Sequence, residues 1–142
     1  MFKTLLVGLD GSHDSEAAIP VAADIARRYD ALVVLCHVEE RVVGKGGPQP
    51  IRDVETIQAG IQARAKELSD QGIATKVEWG ASILGGPAQV LEAIADRLKA
   101  ELIVVGRKGR SQIVAVAVGS VTDRLLHVSE RCVLAVPPPE SR

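Results

Sequence analysis

Two patterns of apolar residues alternate along the chain. Nearly continuous apolar runs, typical of strands buried on both faces of a sheet, occupy residues 3–9, 31–38, 101–106 and 132–136, and a fifth strand pattern occupies 74–80. Apolar residues recur at steps of three and four, the spacing of an amphipathic helix, over residues 12–29, 51–70, 87–100 and 120–130. The pattern therefore predicts five strands separated by four helices.

Regular alternation of strand and helix is typical of an α/β fold. It predicts an open parallel sheet with right-handed crossovers and with helices on both faces. The run at 74–80 carries polar residues at alternate positions, which favours an edge strand. Residues 40–50 are rich in glycine and proline and are expected to form a mobile loop. A chain of 142 residues suits one domain, 1–142, around one core.

Some residues mark where the helices begin. Ser12, Asp14 and Ser15 are candidate N-caps of the first helix. Pro20 follows closely and is compatible only with the first turn of that helix or with a kink. Pro87 suits the first position of the third helix, since its missing N–H has no partner there in any case.

Composition and charge exclude several classes of function. Aromatic residues make up only 2% of the chain, which argues against nucleic-acid binding by stacking on aromatic platforms. The formal net charge is −1, so the surface as a whole has no excess positive charge with which to bind DNA or an anionic membrane. No apolar run approaches the ~20 residues of a membrane span, and no small-residue cleavage site follows the first apolar run. A cytoplasmic protein without membrane insertion is expected.

The chain has two cysteines, Cys36 and Cys132, and both lie in apolar runs with a strand pattern. We expect buried free thiols rather than a disulfide. The two residues lack the CxxC spacing of a zinc site. No metal site is therefore predicted.

The segment 105–126 carries the most specific chemistry. Gly106 ends the fourth predicted strand, where glycine would let a ligand approach backbone N–H groups. Gly119 and Ser120 open a helix, whose N-terminus binds anions. Arg107 and Lys108 add positive charge between the two positions. Read separately, these features also fit ordinary turn glycines, a helix cap and solvated cations; together they point to a phosphate site.

The spacing of these residues resembles a family signature. G-x2-G-x9-G-[S/T] is the nucleotide-binding motif of the universal stress protein family, matched here by Gly106, Gly109, Gly119 and Ser120. The resemblance extends over nearly the whole chain, through LLVGLDGS, VVLCHV, ELIVVGRKG, GSVTDRLL and CVLAV. It implies the family's Rossmann-like sheet of five parallel strands in the order 3-2-1-4-5, which places strands one and four side by side.

The resemblance also implies roles for individual residues. Asp10 matches the acidic residue that contacts the ribose, and Val33 matches the residue beside adenine. The adenosine pocket would be lined by Gly8, Leu9 and Val105. The phosphate-binding segment would comprise Gly106, Arg107, Lys108, Gly109, Gly119, Ser120 and Val121. Two departures from the family pattern are Glu101 in place of aspartate and an apolar end, IVAVAV, to the spacer; one phosphate contact is then missing, or the loop packs against a partner.

The expected function is that of an ATP-binding regulatory switch or scaffold, with ATP accompanied by Mg²⁺ and with an unidentified protein partner. No G-x4-G-K-[ST] motif and no evident catalytic base occur in the chain, so no catalytic residue is assigned and hydrolysis is expected to be weak at most.

An ATP pyrophosphatase is one alternative function, since residues 10–15 partly match the SGGxDS loop of that class of enzyme. A nucleotide-independent structural dimer is another. The family commonly forms homodimers through the last strand, here Cys132 to Val136.

Overall fold

The computed structural model describes residues 1–44, 46–50, 53–83, 86–108 and 118–139. The strands are β1 (Thr4–Leu9), β2 (Leu32–Gly44), β3 (Gly47–Pro50), β4 (Thr75–Ile83), β5 (Leu102–Gly106) and β6 (Cys132–Val136). The helices are α1 (His13–Glu16), α2 (Ala18–Tyr29), α3 (Val54–Asp70), α4 (Pro87–Leu98) and α5 (Ser120–Val128).

The parallel strands lie in the order β4-β2-β1-β5-β6. Counted along the parallel strands alone, this is the order 3-2-1-4-5, so the predicted topology is confirmed. The central strand β1 pairs with β2 on one side and with β5 on the other, with Leu9 opposite His37 and Gly8 opposite Val105. The carboxyl ends of the three central strands therefore meet at one edge of the sheet, where ligands bind in open α/β folds.

Residues 40–50 are not the loop that their composition predicted. Strand β2 continues to Gly44 and turns back into β3, which pairs with it in the antiparallel direction. Gly44 is opposite Gly47, and Gly47 has a φ of 90°, a conformation that glycine adopts without strain. The prolines at 48 and 50 are tolerated because β3 lies at the end of the sheet order. The glycines and prolines of this segment therefore belong to a β-hairpin rather than to a loop.

Two apolar layers cover the two faces of the sheet. On one face, Leu5 and Val7 of β1 pack with the alanines of α2 and with Ile57, Ile61 and Leu68 of α3. On the other face, Leu6 and Cys36 pack with α4 and with Leu125 of α5. Successive residues of one strand face opposite layers, because successive side chains of a pleated strand point to opposite faces. Each fully buried leucine contributes about 1.5–3 kcal/mol to this arrangement.

The predicted helix at 12–29 is divided in two at Ala17, which follows α1 and precedes α2. Ser12 caps α1, since its side chain accepts a hydrogen bond from the N–H of Ser15 at 3.1 Å. Pro20 is the third residue of α2, where a backbone N–H has no intrahelical acceptor. Proline therefore removes no helical hydrogen bond at this position.

Both cysteines are free, but only one is buried. Cys36 lies in the layer beneath α4. Cys132 is exposed, contrary to the prediction, because it begins the edge strand β6. In the part of the chain that the structure describes, no helix is long and apolar enough to cross a membrane.

Candidate nucleotide-binding site

A cavity of about 200 Å³ opens at the carboxyl ends of β1, β2 and β5. The following residues of the sequence prediction line it: Gly8, Leu9, Asp10, Val105, Gly106, Lys108, Gly119, Ser120 and Val121. These residues come from two segments almost a hundred positions apart, which the pairing of β1 with β5 brings together. Arg107 of the predicted set does not line the cavity, and Gly109 lies outside the described residues.

Val33 of the predicted set does not line this cavity. Val33 is 0% exposed in the core and pairs with Leu5 and Thr75 near the amino end of β2, so it cannot reach a cavity at the carboxyl end. The β2 valine on the cavity wall is Val38. The register could have identified it, since Leu9 is opposite His37 and the next residue of β2 passes the end of β1.

Several lining residues were missed by the sequence analysis. Ser15, Val38, Glu40, Pro87, Leu91 and Thr122 also line the cavity. Pro87 and Leu91 lie on α4, and they reach the cavity because the N-terminal half of this helix packs on the sheet face near the carboxyl end of β1, where Leu91 lies against Gly8. In the sequence, these two residues fit the pattern of an amphipathic helix, which gave no reason to expect them at a binding site.

The loop after β1 is held by a local hydrogen-bond network. The Asp10 carboxylate accepts a 2.9 Å hydrogen bond from the N–H of Ser12, and the N–H of Asp10 donates to Ser15 Oγ at 3.3 Å. Ser15 Oγ in turn donates to the carbonyl of Ser12 at 3.0 Å. Gly11, which lies between Asp10 and Ser12, has a φ of 82°. The network fixes the Asp10 side chain beside the cavity before any ligand arrives.

Gly106 is required by packing. A Cβ at Gly106 would lie 2.5 Å from the carbonyl oxygen of Asp14 and 2.9 Å from the Cα of Ser15. The backbone of α1 therefore lies directly against the end of β5. The sequence analysis attributed this glycine to ligand approach, whereas the described structure places a neighbouring helix there.

Backbone hydrogen bonds position α5 beside β5. The N–H of Gly119 donates to the carbonyl of Arg107 at 2.7 Å, and the N–H of Arg107 donates to the carbonyl of Val136 at 2.7 Å. The hydroxyl of Thr122 donates to the carbonyl of Gly106 at 2.7 Å. The N-terminus of α5 is thus fixed to the ends of β5 and β6.

The electrostatics of the cavity differ between its two sides. Gly119 is the N-cap of α5 and has no side chain to cap the helix, so the N-terminal N–H groups and the helix dipole face the cavity. Lys108, which follows β5, lines the cavity on the same side. Asp10 follows β1 and Glu40 lies on β2, so the α5 side is the one suited to an anion.

None of the three histidines lines the cavity in the part of the chain that the structure describes. His37 is buried, and its Nδ1–H donates to the carbonyl of Leu9 at 2.8 Å. His127 is exposed and makes its contact with the carbonyl of Asp123. The role of His37 is therefore to hold the end of β1.

The whole chain was compared with known proteins. A family model described as the universal stress protein family matches residues 1–137. The chain belongs to the universal stress protein family. The resemblance read from the glycine spacing is thereby confirmed at the level of the family.

Universal stress proteins of several organisms are similar in sequence over most of their length. One from Synechocystis sp. is 32% identical over 139 residues, which cover 96% of this chain and 87% of that protein. One from Mycobacterium tuberculosis is 32% identical over 126 residues, which cover 84% of this chain and 86% of that protein. The likeness therefore extends over most of this chain.

Solved structures are similar as well. A crystal structure of a universal stress protein in complex with cAMP is 28% identical, with a TM-score of 0.66, and the match covers 96% of this chain and 98% of that chain. The structure of the protein MJ0577 is 22% identical with a TM-score of 0.80, and 96% of each chain is covered. The second likeness shows the fold.

Proposed function

We propose that this protein binds an adenine nucleotide, ATP in the first instance, and acts as a nucleotide-dependent switch or scaffold in a stress response. The observation that carries the proposal is the cavity, which is lined by a lysine and by a helix N-terminus without a side-chain cap, beside an aspartate and an apolar wall. Anion, sugar hydroxyls and base each have a matching surface in that arrangement.

The order of the surfaces suggests how the nucleotide lies. Lys108 and the N-terminal amides of α5 would hold the phosphates, and Asp10 would accept hydrogen bonds from ribose hydroxyls. Val38 and Leu91 offer an apolar wall for the base. The similar universal stress protein that was crystallised with cAMP supports an adenine nucleotide as the ligand.

A regulatory role is favoured over rapid turnover. Asp10 accepts a hydrogen bond from Ser12 and is proposed to bind ribose, and none of the three histidines lines the cavity among the described residues. No group of three or more side chains suited to a metal ion occurs among the described residues, and Mg²⁺ would arrive with ATP. Product analysis separates the alternatives, since an ATP pyrophosphatase releases AMP and pyrophosphate.

We also propose a symmetric homodimer through β6, Cys132–Val136. Among the described residues, β6 pairs with β5 alone and ends the sheet. Val133, Leu134 and Ala135 are only half-buried, and an open edge strand readily pairs with another strand. The cytoplasmic location and the identity of a protein partner remain predictions from the sequence.

Thermal unfolding with and without Mg-ATP tests the proposed binding. A ligand that binds only the folded state stabilises it by about 2.7 kcal/mol at a hundredfold excess over Kd, which raises Tm. Lys108→Ala should reduce the shift, whereas Lys76→Ala, at an exposed lysine of β4, should leave it unchanged. No shift for the wild-type protein with ATP, AMP or cAMP would overturn the proposal.

A further inference from the structure

Glu40 is an acidic cavity residue without a role in the account given so far. It follows Val38 by two positions on β2, and the two side chains therefore project from the same face of the sheet. That face is the one beneath α4, since Val38 packs in the same layer as Leu91. Glu40 thus lies at the apolar side of the cavity, where a base would be bound.

The lateral order of the strands separates Glu40 from the phosphate side. Glu40 is on β2, Asp10 follows the central strand β1, and Lys108 follows β5. Neighbouring strands are about 4.8 Å apart, so Glu40 lies two strand spacings from Lys108. A nucleotide with its phosphate at Lys108 and its ribose at Asp10 has its base toward Glu40. The three residues therefore lie in the order phosphate, ribose and base in which the parts of a nucleotide are joined.

A second polar group lies beside Glu40 on the neighbouring strand. Ser82 of β4 is directly opposite Glu40 in the parallel register. It projects from the same face, as the neighbouring Gly80 shows, since a Cβ there would lie 3.6 Å from Val38 Cγ2. Ser82 is 7% exposed, and its Oγ has no hydrogen-bond partner among the described residues. Buried hydroxyl groups are normally paired, so the Ser82 hydroxyl is a donor beside Glu40 that the described residues do not use.

We propose that Glu40 is the residue that recognises the base, with its carboxylate accepting a hydrogen bond from an exocyclic amino group. An ionised carboxylate is only an acceptor, and the N6 amino group of adenine is a donor. The inference rests on the proposed nucleotide function and adds a specificity-determining residue to it. Ser82 would support the carboxylate as a hydroxyl donor from the neighbouring strand.

Binding of two ligands that differ by one amino group tests the proposal. Purine riboside 5′-triphosphate is ATP without the amino group at C6, and the Kd of each is measured by calorimetry. The wild-type protein should prefer ATP by about tenfold or more, the value of one hydrogen bond to a charged group. In Glu40→Ala the ratio of the two Kd values should fall toward one, because the amino group no longer has its acceptor.

Two further variants separate base recognition from damage to the fold. Glu40→Gln keeps the size of the side chain and a carbonyl oxygen, so part of the preference should return. Glu39→Ala removes the preceding carboxylate, which projects from the opposite face and pairs with Arg41 at 3.0 Å, and it should keep the wild-type ratio.

The outcomes distinguish the two proposals. Equal binding of both compounds by the wild-type protein, or an unchanged ratio in Glu40→Ala, would overturn the role of Glu40 while leaving nucleotide binding intact. Failure of the wild-type protein to bind either compound would overturn the nucleotide proposal itself, and the role of Glu40 with it.

Discussion

The hydroxyl of Thr122 donates a 2.7 Å hydrogen bond to the backbone carbonyl of Gly106. The bond joins the first turn of α5 to the last residue of β5, and Thr122 is buried. It therefore fixes the helix N-terminus relative to the strand end that carries Lys108. The anion-binding side of the cavity depends on this one side-chain contact as well as on the backbone bonds around it.

Replacing Thr122 with valine should affect both stability and binding. Thr122→Val keeps the shape of the side chain but leaves a buried carbonyl without its donor, which costs about 1–3 kcal/mol of unfolding free energy. Urea unfolding measures that loss, and calorimetry should show weaker binding of ATP.

Thr75→Val is the matched control for this prediction. Its hydroxyl donates to the carbonyl of Ile73 at 2.8 Å, but neither residue lines the cavity. This variant should lose stability without losing affinity for ATP. Equal affinities in the wild-type protein and in Thr122→Val would contradict the role assigned to the contact.

The tight approach of α1 to Gly106 predicts a large effect of one added methyl group. In Gly106→Ala the new Cβ would meet the backbone of Asp14 at 2.5 Å, and backbone cannot move aside as a flexible side chain can. We expect a loss of about 1–3 kcal/mol in unfolding free energy, measured by urea denaturation.

Gly60→Ala provides the comparison. Gly60 lies within α3, and a Cβ there would have no neighbour within 4 Å. Alanine is the better helix former, so this variant should gain about 0.5–1 kcal/mol. Similar effects of the two substitutions would show that the Gly106 contact is not a packing constraint.

The two cysteines should differ sharply in reactivity. Burial raises the pKa of Cys36 from the usual 9.0 to about 12, with a smaller contribution from the nearby charge of Glu78. The thiolate is the reactive form, so a thiol reagent at pH 8 should label only Cys132 in the folded protein. Labelling of both residues at the same rate would contradict the burial of Cys36.

The raised pKa of Cys36 also predicts a dependence of stability on alkaline pH. Below about pH 9 the thiol is protonated in both the folded and the unfolded chain. Between 9 and about 12 only the unfolded chain releases the proton, so the stability contributed by Cys36 is lost progressively as pH rises. The loss between these pH values should be smaller in Cys36→Ala, as measured by denaturant midpoints.

The proposed dimer through β6 predicts an oligomeric state and a way to disrupt it. Light scattering should give twice the chain mass of 15.0 kDa at micromolar concentration. Val133→Lys, on the half-buried edge strand, should shift the protein to monomer because pairing would bury a charge. Ile83→Lys, at a residue 48% exposed on the opposite edge strand β4, should remain dimeric. A monomeric wild-type protein would reject the interface.

The sequence and the family resemblance together predicted many of the residues that line the cavity, and they failed where the lining depends on strand register. Asp10 follows the first apolar run and Gly106 ends the fourth, and the resemblance placed these two strands side by side, so that their carboxyl ends meet at one edge. Val33 and Val38 occur in one apolar run, and no composition distinguishes the core residue from the wall residue. Glu40 was placed in a loop because nearby glycines and prolines concealed the hairpin.

The hydrogen bond between Gly119 and Arg107 has a consequence for how this protein can vary. It ties the residue before α5 to the residue after β5 at 2.7 Å through main-chain atoms alone. Substitution of the Arg107 side chain would therefore leave this bond, and with it the start of the helix, in place.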